Sequence, residues 1–303
     1  MSDVEDKMER GTPAEALPNG PPMSVEEQTL VYKIAVVPAS VRAPAAEMLG
    51  TMLLVLLGTT SNAQALLAKP DDSNFLSLRI GWGVGLLLGV LVSGDISGAH
   101  LNPAMTLVMA TLRGFPWSQV PGYILSQLFG AVIGGVISQA NYYELVNQVE
   151  GGVGLRTLGN ANSTALIFIT GPADWMSYTG AFFDEVLGTA LLCAAVLAMG
   201  EGNRAGSATH VKAVILMWTF VGVSGGIGIQ TSFGLNPARD LGPRIAAAMF
   251  GYPRTIWTSA NCYFLWGAII GPIAGAFVGA AVHDIAVGRG IPLPSWRRRL
   301  IRS

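Results

Sequence analysis

The chain has 303 residues, 51% of them hydrophobic and only 12% charged, with a formal net charge of −1 and a mean hydropathy of +0.48. A soluble globular domain carries about 25% charged residues, so the composition argues against a soluble protein. The absence of a basic excess excludes a nucleic-acid binder, which needs a positively charged face.

The N-terminal tail, residues 1–42, holds seven acids and four bases and has no apolar core segment. With "TPAEALPNGPP" it reads as a disordered cytoplasmic extension. Six apolar runs follow, at 45–67, 79–96, 117–140, 178–199, 209–230 and 259–285, each near the ~20 residues that cross a bilayer. The second ("GWGVGLLLGV") and fifth ("TFVGVSGGIGI") are glycine-rich, as membrane helices are where they approach closely. "LVMATLRG" lies between spans two and three and "LGPRIAAAMFG" between five and six. Both are too short to span but reach about half a bilayer at 1.5 Å per residue.

Segment 141–177 is expected to be an external loop, in which Asn162 of "NST" could accept a glycan. Residues 286–303 form a basic tail with Arg289, Arg297, Arg298, Arg299 and Arg302, and "WRRRLIRS" reads as an anchor at the cytoplasmic face. Arg113, Arg204 and Lys212 share a side with the tails, while Lys69, Arg156 and Arg254 lie opposite. With the tail arginines added, the bias places both termini in the cytoplasm. Cys193 and Cys262 fall inside apolar spans and read as buried small hydrophobes. The three histidines are scattered rather than clustered with other ligand types. No enzyme, metal site or cofactor is expected.

Two features recur in order. "AAEMLGTMLLV" (45–55) and "FDEVLGTALLC" (183–193) both read Glu, apolar, Leu-Gly-Thr, with Glu47 and Glu185 separated by 138 positions. Asn-Pro-Ala occurs at 102–104 and 236–238, 134 positions apart. The chain therefore reads as a duplication with halves of about 43–140 and 178–285. Three spans per half force the second half to insert upside down, giving an inverted repeat whose corresponding short elements meet near the midplane. Asn is a preferred N-cap and Pro is favoured at the first helical position. Two half-helices starting from Asn102-Pro103-Ala104 and Asn236-Pro237-Ala238 would turn their positive dipole ends toward one another. The expected fold is an all-α membrane protein, with six transmembrane helices plus two re-entrant half-helices.

On "SGAHLNPAMT", "GLNPARDLGP" and the paired Glu-apolar-Leu-Gly-Thr segments, the sequence resembles the aquaporin and aquaglyceroporin family (major intrinsic proteins) over roughly 43–285. The resemblance implies a right-handed bundle with one pore per subunit, assembled as a homotetramer in membrane lipid. Transport would be passive, with protons and ions excluded. Carried across by motif, Asn102 and Asn236 match the central asparagines that orient solutes in single file. Pro103, Ala104, Pro237 and Ala238 hold the half-helix starts. Arg239 matches the arginine of the outer constriction. Glu47 and Glu185 match the buried glutamates that accept from loop backbone N–H groups, and His100 matches a loop-steadying histidine.

Three further positions bear on solute choice. Trp82, 15 residues before Ser97, and Phe233, three before Asn236, match the aromatic corner of the glycerol-conducting branch. Water-selective relatives carry a histidine on the fifth span. Here the matching position is Ser224, or Gly225 if the alignment slips by one, and none of His100, His210 and His283 can reach it. Asp240 also resembles the glycerol branch and is expected to brace its loop. Ala268-Ile269 match neither branch's distinctive pair. The resemblance implies a channel for glycerol and other small neutral solutes (urea or hydrogen peroxide among them) together with water, in the plasma membrane by default. The alternatives are a water-selective or closed pore, gated in one version by the N-terminal tail. More remote is a secondary transporter with inverted repeats: Asp184 and Glu185, taken to be at a helix start, Asp95 at a helix end, and Arg239-Asp240 in the re-entrant loop are its candidate coupling residues, and none forms an evident proton relay.

Overall fold

A computed structural model describes residues 38–67, 75–200 and 208–287. Both tails beyond these limits, with Lys69 and Arg204, lie outside the described residues. All described residues from Ala39 onward belong to one compact unit.

The first half contains α1 (Ala39–Leu67), α2 (Phe75–Ser97), the short α3 (Pro103–Leu112) and, after a 3-10 turn, α4 (Val120–Asn141). Two short helices, α5 (Tyr143–Glu150) and α6 (Ala165–Phe168), lie in the long connection. The second half repeats the order with α7 (Tyr178–Gly200), α8 (Thr209–Ile227), the short α9 (Pro237–Met249), α10 (Thr255–Leu265) and α11 (Gly271–Ala286). Among the described residues, six segments are long and apolar enough to cross a membrane: 41–67, 75–97, 117–141, 178–200, 209–227 and 255–286. Lipid offers no hydrogen bonds, and several hydroxyls in the spans turn back to their own helix. Thr51 donates to Glu47 O (2.8 Å), Thr60 to Leu56 O (2.7 Å) and Thr189 to Glu185 O (2.8 Å).

Packing follows the duplication. α1 packs on α2 and α4, α7 packs on α11, and α2 crosses to α8 between the halves. Each half-helix lies on the last span of the opposite half, α3 on α11 and α9 on α4. The first and third spans of each half touch backbone to backbone. A Cβ on Gly130 would stand 2.1 Å from Met48 O, and one on Gly275 would stand 2.4 Å from Val186 O. Met48 and Val186 each follow the repeated glutamate, so the same close approach is built twice.

The structure departs from the sequence expectation in two places. Asp184 and Glu185 lie inside α7, about two turns from its start at Tyr178, and both are buried. The last span begins at Thr255 and is not one regular helix. Ala260, Asn261 and Cys262 take positive φ angles of 45°, 53° and 61°, and a π turn runs from Trp266 to Ile270. Trp266 Nε1 donates to the carbonyls of Ala260 (3.3 Å) and Asn261 (3.0 Å), which the left-handed turn takes out of the regular ladder. Such wide turns re-aim side chains; here Tyr263, between the two irregularities, reaches Glu185.

Candidate functional site

Asn102 and Asn236 cap the two half-helices in the same way. Each has φ −157°, and each side-chain oxygen accepts from a backbone N–H two residues on, Ala104 N and Ala238 N, both at 2.9 Å. Pro103 and Pro237 occupy the first helical position, where the missing N–H costs nothing. The caps are also cross-stitched: Asn102 Nδ2 donates to Leu235 O (2.9 Å) and Asn236 Nδ2 to Leu101 O (2.8 Å). Leu101 and Leu235 share a φ of 52°, the turn that exposes those carbonyls to the opposite asparagine. A carboxamide NH2 has two hydrogens, so each asparagine keeps one donor beyond this stitch.

Two buried glutamates hold the preceding turns. Glu47 accepts from Ser97 Oγ (2.6 Å), His100 N (2.9 Å), Leu101 N (2.7 Å) and Gln127 Nε2 (2.8 Å). Glu185 accepts from Gly234 N (2.9 Å), Leu235 N (2.7 Å) and Tyr263 Oη (2.8 Å). His100 is partly buried against Phe115 and Tyr123, at centroid distances of 4.8 and 5.1 Å. Its Nδ1 lies 3.2 Å from Thr106 Oγ1.

Trp82, Phe233 and Arg239 converge from α2, the second loop and α9. The Trp82 and Phe233 rings meet at 90° with centroids 5.9 Å apart. The Arg239 guanidinium carbon stands 4.2 Å from the Trp82 centroid and 5.5 Å from that of Phe233. Arg239 Nη2 donates to Ser232 O (3.2 Å), while Nε and Nη1 have no hydrogen-bond partner among the described residues. Ser224 is buried with its hydroxyl turned back to Phe220 O (2.7 Å), whereas Gly225 is exposed. A third ring joins the corner. Phe220 stacks on Trp82 (6.2 Å, 25°) and meets Phe233 edge-on (6.0 Å, 83°). Sequence reading passed over Phe220, although its place one turn before Ser224 puts it on the same helix face. It also passed over Asn62, which accepts from Trp82 Nε1 (2.8 Å) and donates to Ile167 O (2.8 Å). Asn62 thereby ties the indole to the long connection.

Asp240 does not face this corner. It is fully buried, accepts from Thr170 N (2.7 Å) and Thr170 Oγ1 (2.5 Å), and pairs with Arg244 Nε and Nη2, both at 2.8 Å. Arg244 also donates to the carbonyls of Thr170 and Ile256. The i,i+4 spacing of Asp240 and Arg244 was the available signal for this pair. In the same connection Glu150 accepts from Thr157 and Thr164, and Thr164 bonds the Tyr252 hydroxyl (2.6 Å). Burial acts to raise the Glu150 carboxyl, but the hydrogen bonds from Thr157 and Thr164 outweigh it and hold the group below its ordinary value. Burial pushes the Tyr252 phenol up to about 12. Asn162 is exposed, with its N–H bonded to Asn160 Oδ1 (3.0 Å).

A cavity of about 40 Å³ is lined by both asparagines, His100, Met105 and Phe220. It shares His100 and Met105 with a wider cavity of about 220 Å³ at the α3 end, rimmed by Thr209 and Lys212. The two cavities thus adjoin along shared lining residues, and the narrower one reaches both asparagines and Phe220. The asparagine carboxamides line the narrower cavity, and no charged side chain does.

Comparison with known proteins agrees with this geometry. A family model described as "Major intrinsic protein" matches residues 35–283. An aquaporin of Laccaria bicolor is 40% identical over 260 residues, covering 85% of this chain and 97% of that protein. Aquaglycerol porin AQY3 of Saccharomyces cerevisiae is 39% identical over 253 residues, covering 84% of this chain and 38% of that longer protein. Among solved structures, the aquaglyceroporin from Plasmodium falciparum matches with a TM-score of 0.71 at 25% identity, covering 82% of this chain and 97% of that one. Six apolar spans, two stitched half-helices and these matches make the chain an integral, multi-pass membrane channel of the major intrinsic protein family, the family of the aquaporins.

Proposed function

We propose that the chain conducts glycerol and other small neutral solutes together with water, and excludes protons and ions. The observation that carries this reading is the right-angled corner of Trp82 and Phe233 with Arg239 beside both rings. A polyol has a carbon face and a hydroxyl face; the corner offers an apolar wall to one, and Arg239 Nε and Nη1 offer donors to the other. Asn102 and Asn236 then present one N–H each to a passing oxygen, between opposed helix dipoles that repel cations. Glu47, Glu185 and His100 keep the two turns in shape, and Asp240 braces the long connection through Thr170. Residues 43–285 form the channel domain, working as a homotetramer in the plasma membrane with both tails cytoplasmic. The names of the yeast and Plasmodium relatives support the glycerol branch.

A water-preferring pore is the second reading, favoured by one observation: Phe220 adds a third ring to the corner, against both Trp82 and Phe233. Stopped-flow light scattering on proteoliposomes distinguishes the two. Fast flux of water and glycerol over empty vesicles supports the first reading, and fast water with background glycerol supports the second. Ser224→His should depress glycerol flux more than water flux; equal reduction would remove Ser224 from the constriction.

A further inference from the structure

The turn before the second half-helix is held at both ends from one helix. At its outer end Asp184 Oδ1 accepts from Gln230 Nε2 (2.7 Å) and Oδ2 from Thr231 Oγ1 (2.8 Å). At its inner end the next residue of α7, Glu185, accepts from Gly234 N and Leu235 N. Ser232 and Phe233 alone stand between these anchors. They are also the residues of the turn that meet the corner. Ser232 O accepts from Arg239 Nη2 (3.2 Å), and the Phe233 ring lies 5.9 Å from that of Trp82.

The first half repeats the inner anchor and not the outer one. Glu47 corresponds to Glu185, but Ala46, which has no polar side chain, stands where Asp184 does. The backbone of the turn is duplicated all the same. Gly98, Ala99 and Leu101 have φ of 86°, 51° and 52°, and Ser232, Phe233 and Leu235 have 64°, 44° and 52°. Glycine enters the left-handed region freely. A bulky side chain there is a steric outlier, and it persists only where surrounding contacts over-determine it. The turn that carries a phenylalanine in this conformation is thus the one given a second carboxylate. Asp184 is 2% exposed within its span, where a carboxylate is costly, and both of its oxygens are directed at this turn.

We propose that Asp184 is a positioning residue of the constriction. By fixing Gln230 and Thr231 it sets where Ser232 O and the Phe233 ring stand, and through them the size of solute that passes. The inference rests on the reading of Trp82, Phe233 and Arg239 as the size-limiting corner.

The test compares erythritol, glycerol and water permeability in proteoliposomes. Asp184→Ala should raise the ratio of erythritol to glycerol flux, with water flux per folded chain retained. A role in folding alone would lower all three together and leave the ratio in place, which would overturn the proposal. Asp184→Asn should keep the original ratio, because its carboxamide oxygen can accept from Gln230 and its NH2 can donate to the Thr231 hydroxyl. If Asp184→Asn behaves like Asp184→Ala, anchoring is not the cause and the proposal fails. Where Asp184→Ala elutes as aggregate, Gln230→Ala, at a partly buried position, removes one arm of the anchor and should move the ratio in the same direction. An unmoved ratio in Asp184→Ala beside a raised one in Phe233→Ala would reject the role of Asp184 and leave the corner standing. A ratio unmoved in both would reject the corner, and this inference with it. Hydrogen exchange of the Ser232 and Phe233 amides in detergent needs no flux. It should quicken in Asp184→Ala and not in Asp184→Asn; unaltered exchange would remove the anchor even in a chain that does not conduct.

Discussion

The Arg239 guanidinium carbon stands 4.2 Å from the centre of the Trp82 ring, closer than to Phe233 at 5.5 Å. The ring face is electron-rich, so this contact holds the cation at the wall without consuming its N–H donors. Nε and Nη1 remain unbonded among the described residues. Charge and two unbonded donors thus stand together beside the aromatic corner, and the two roles can be separated by substitution.

Arg239→Val removes the charge and keeps an apolar wall. Proton and cation leak should rise in liposomes under a pH gradient, with glycerol flux retained or increased by the wider opening. A leak equal to that of the unsubstituted chain would take the ion barrier away from Arg239 and leave it with the half-helix dipoles.

Phe233→Ala opens the corner at a ring that contacts both Trp82 and Phe220. The solute-size cutoff should shift upward, so that four- and five-carbon polyols enter at rates measurable by light scattering. Phe220→Leu should produce a smaller shift in the same direction, since Phe220 lines the narrow cavity behind the corner. An unaltered cutoff in Phe233→Ala would mean that another element limits size.

Glu47→Gln and Glu185→Gln should differ in stability although the residues are repeats. Each oxygen of Glu47 accepts two hydrogen bonds, so a Gln amide would confront two donors in either orientation. At Glu185, Gly234 N and Tyr263 Oη bond Oε1 and Leu235 N bonds Oε2, beside the Thr231 hydroxyl, which can also accept, so the amide introduced by Glu185→Gln can keep its oxygen toward Gly234 and Tyr263 and confronts one backbone donor. An unsatisfied buried donor costs about 1–3 kcal/mol. Glu47→Gln should therefore lose more thermal stability in detergent, read by fluorescence-detected size exclusion. The reverse order would show that the two carboxylates are not braced as the hydrogen bonds imply.

Asp240→Asn leaves Arg244, which is only 1% exposed, without its carboxylate. Breaking a buried pair from one side costs about 3–5 kcal/mol, so the variant should fold poorly. Adding Arg244→Met should recover part of the loss, because no uncompensated charge then remains. If the double variant is as unstable as the single, the hydrogen bonds of Thr170 and Ile256 matter more than the pair.

Much of this was legible in sequence because duplication doubles each signal. A lone buried glutamate or a lone Asn-Pro-Ala says little; Glu47 with Glu185, and Asn102 with Asn236, named the frame of the fold. Trp82 and Phe233 were reachable by their offsets from the two motifs. Phe220 was not, since one phenylalanine among the apolar residues of a span has no feature separating core from pore. Tyr263 was hidden for a different reason: it reaches Glu185 through a left-handed turn and a π turn, and regular helical periodicity does not anticipate either. Asn62 supports Trp82 across 20 positions, a tertiary contact that spacing within one helix does not encode.

The long connection should be sensitive to acid through Glu150. Its carboxyl lies below the ordinary value of 4.5 in the folded chain because Thr157 and Thr164 hydrogen-bond the charged form. A depressed folded value means that the contribution is fully present above the ordinary value and is lost as pH falls through the folded one. Between about pH 5 and 9 the loop should therefore keep its shape, with Tyr252 remaining a neutral phenol. Below about pH 4 the amides of Thr157 and Thr164 should lose hydrogen-exchange protection beyond the intrinsic change of rate. Glu150→Gln should show the reduced protection at every pH and no acid step. A step that survives in Glu150→Gln would assign the acid sensitivity to another group.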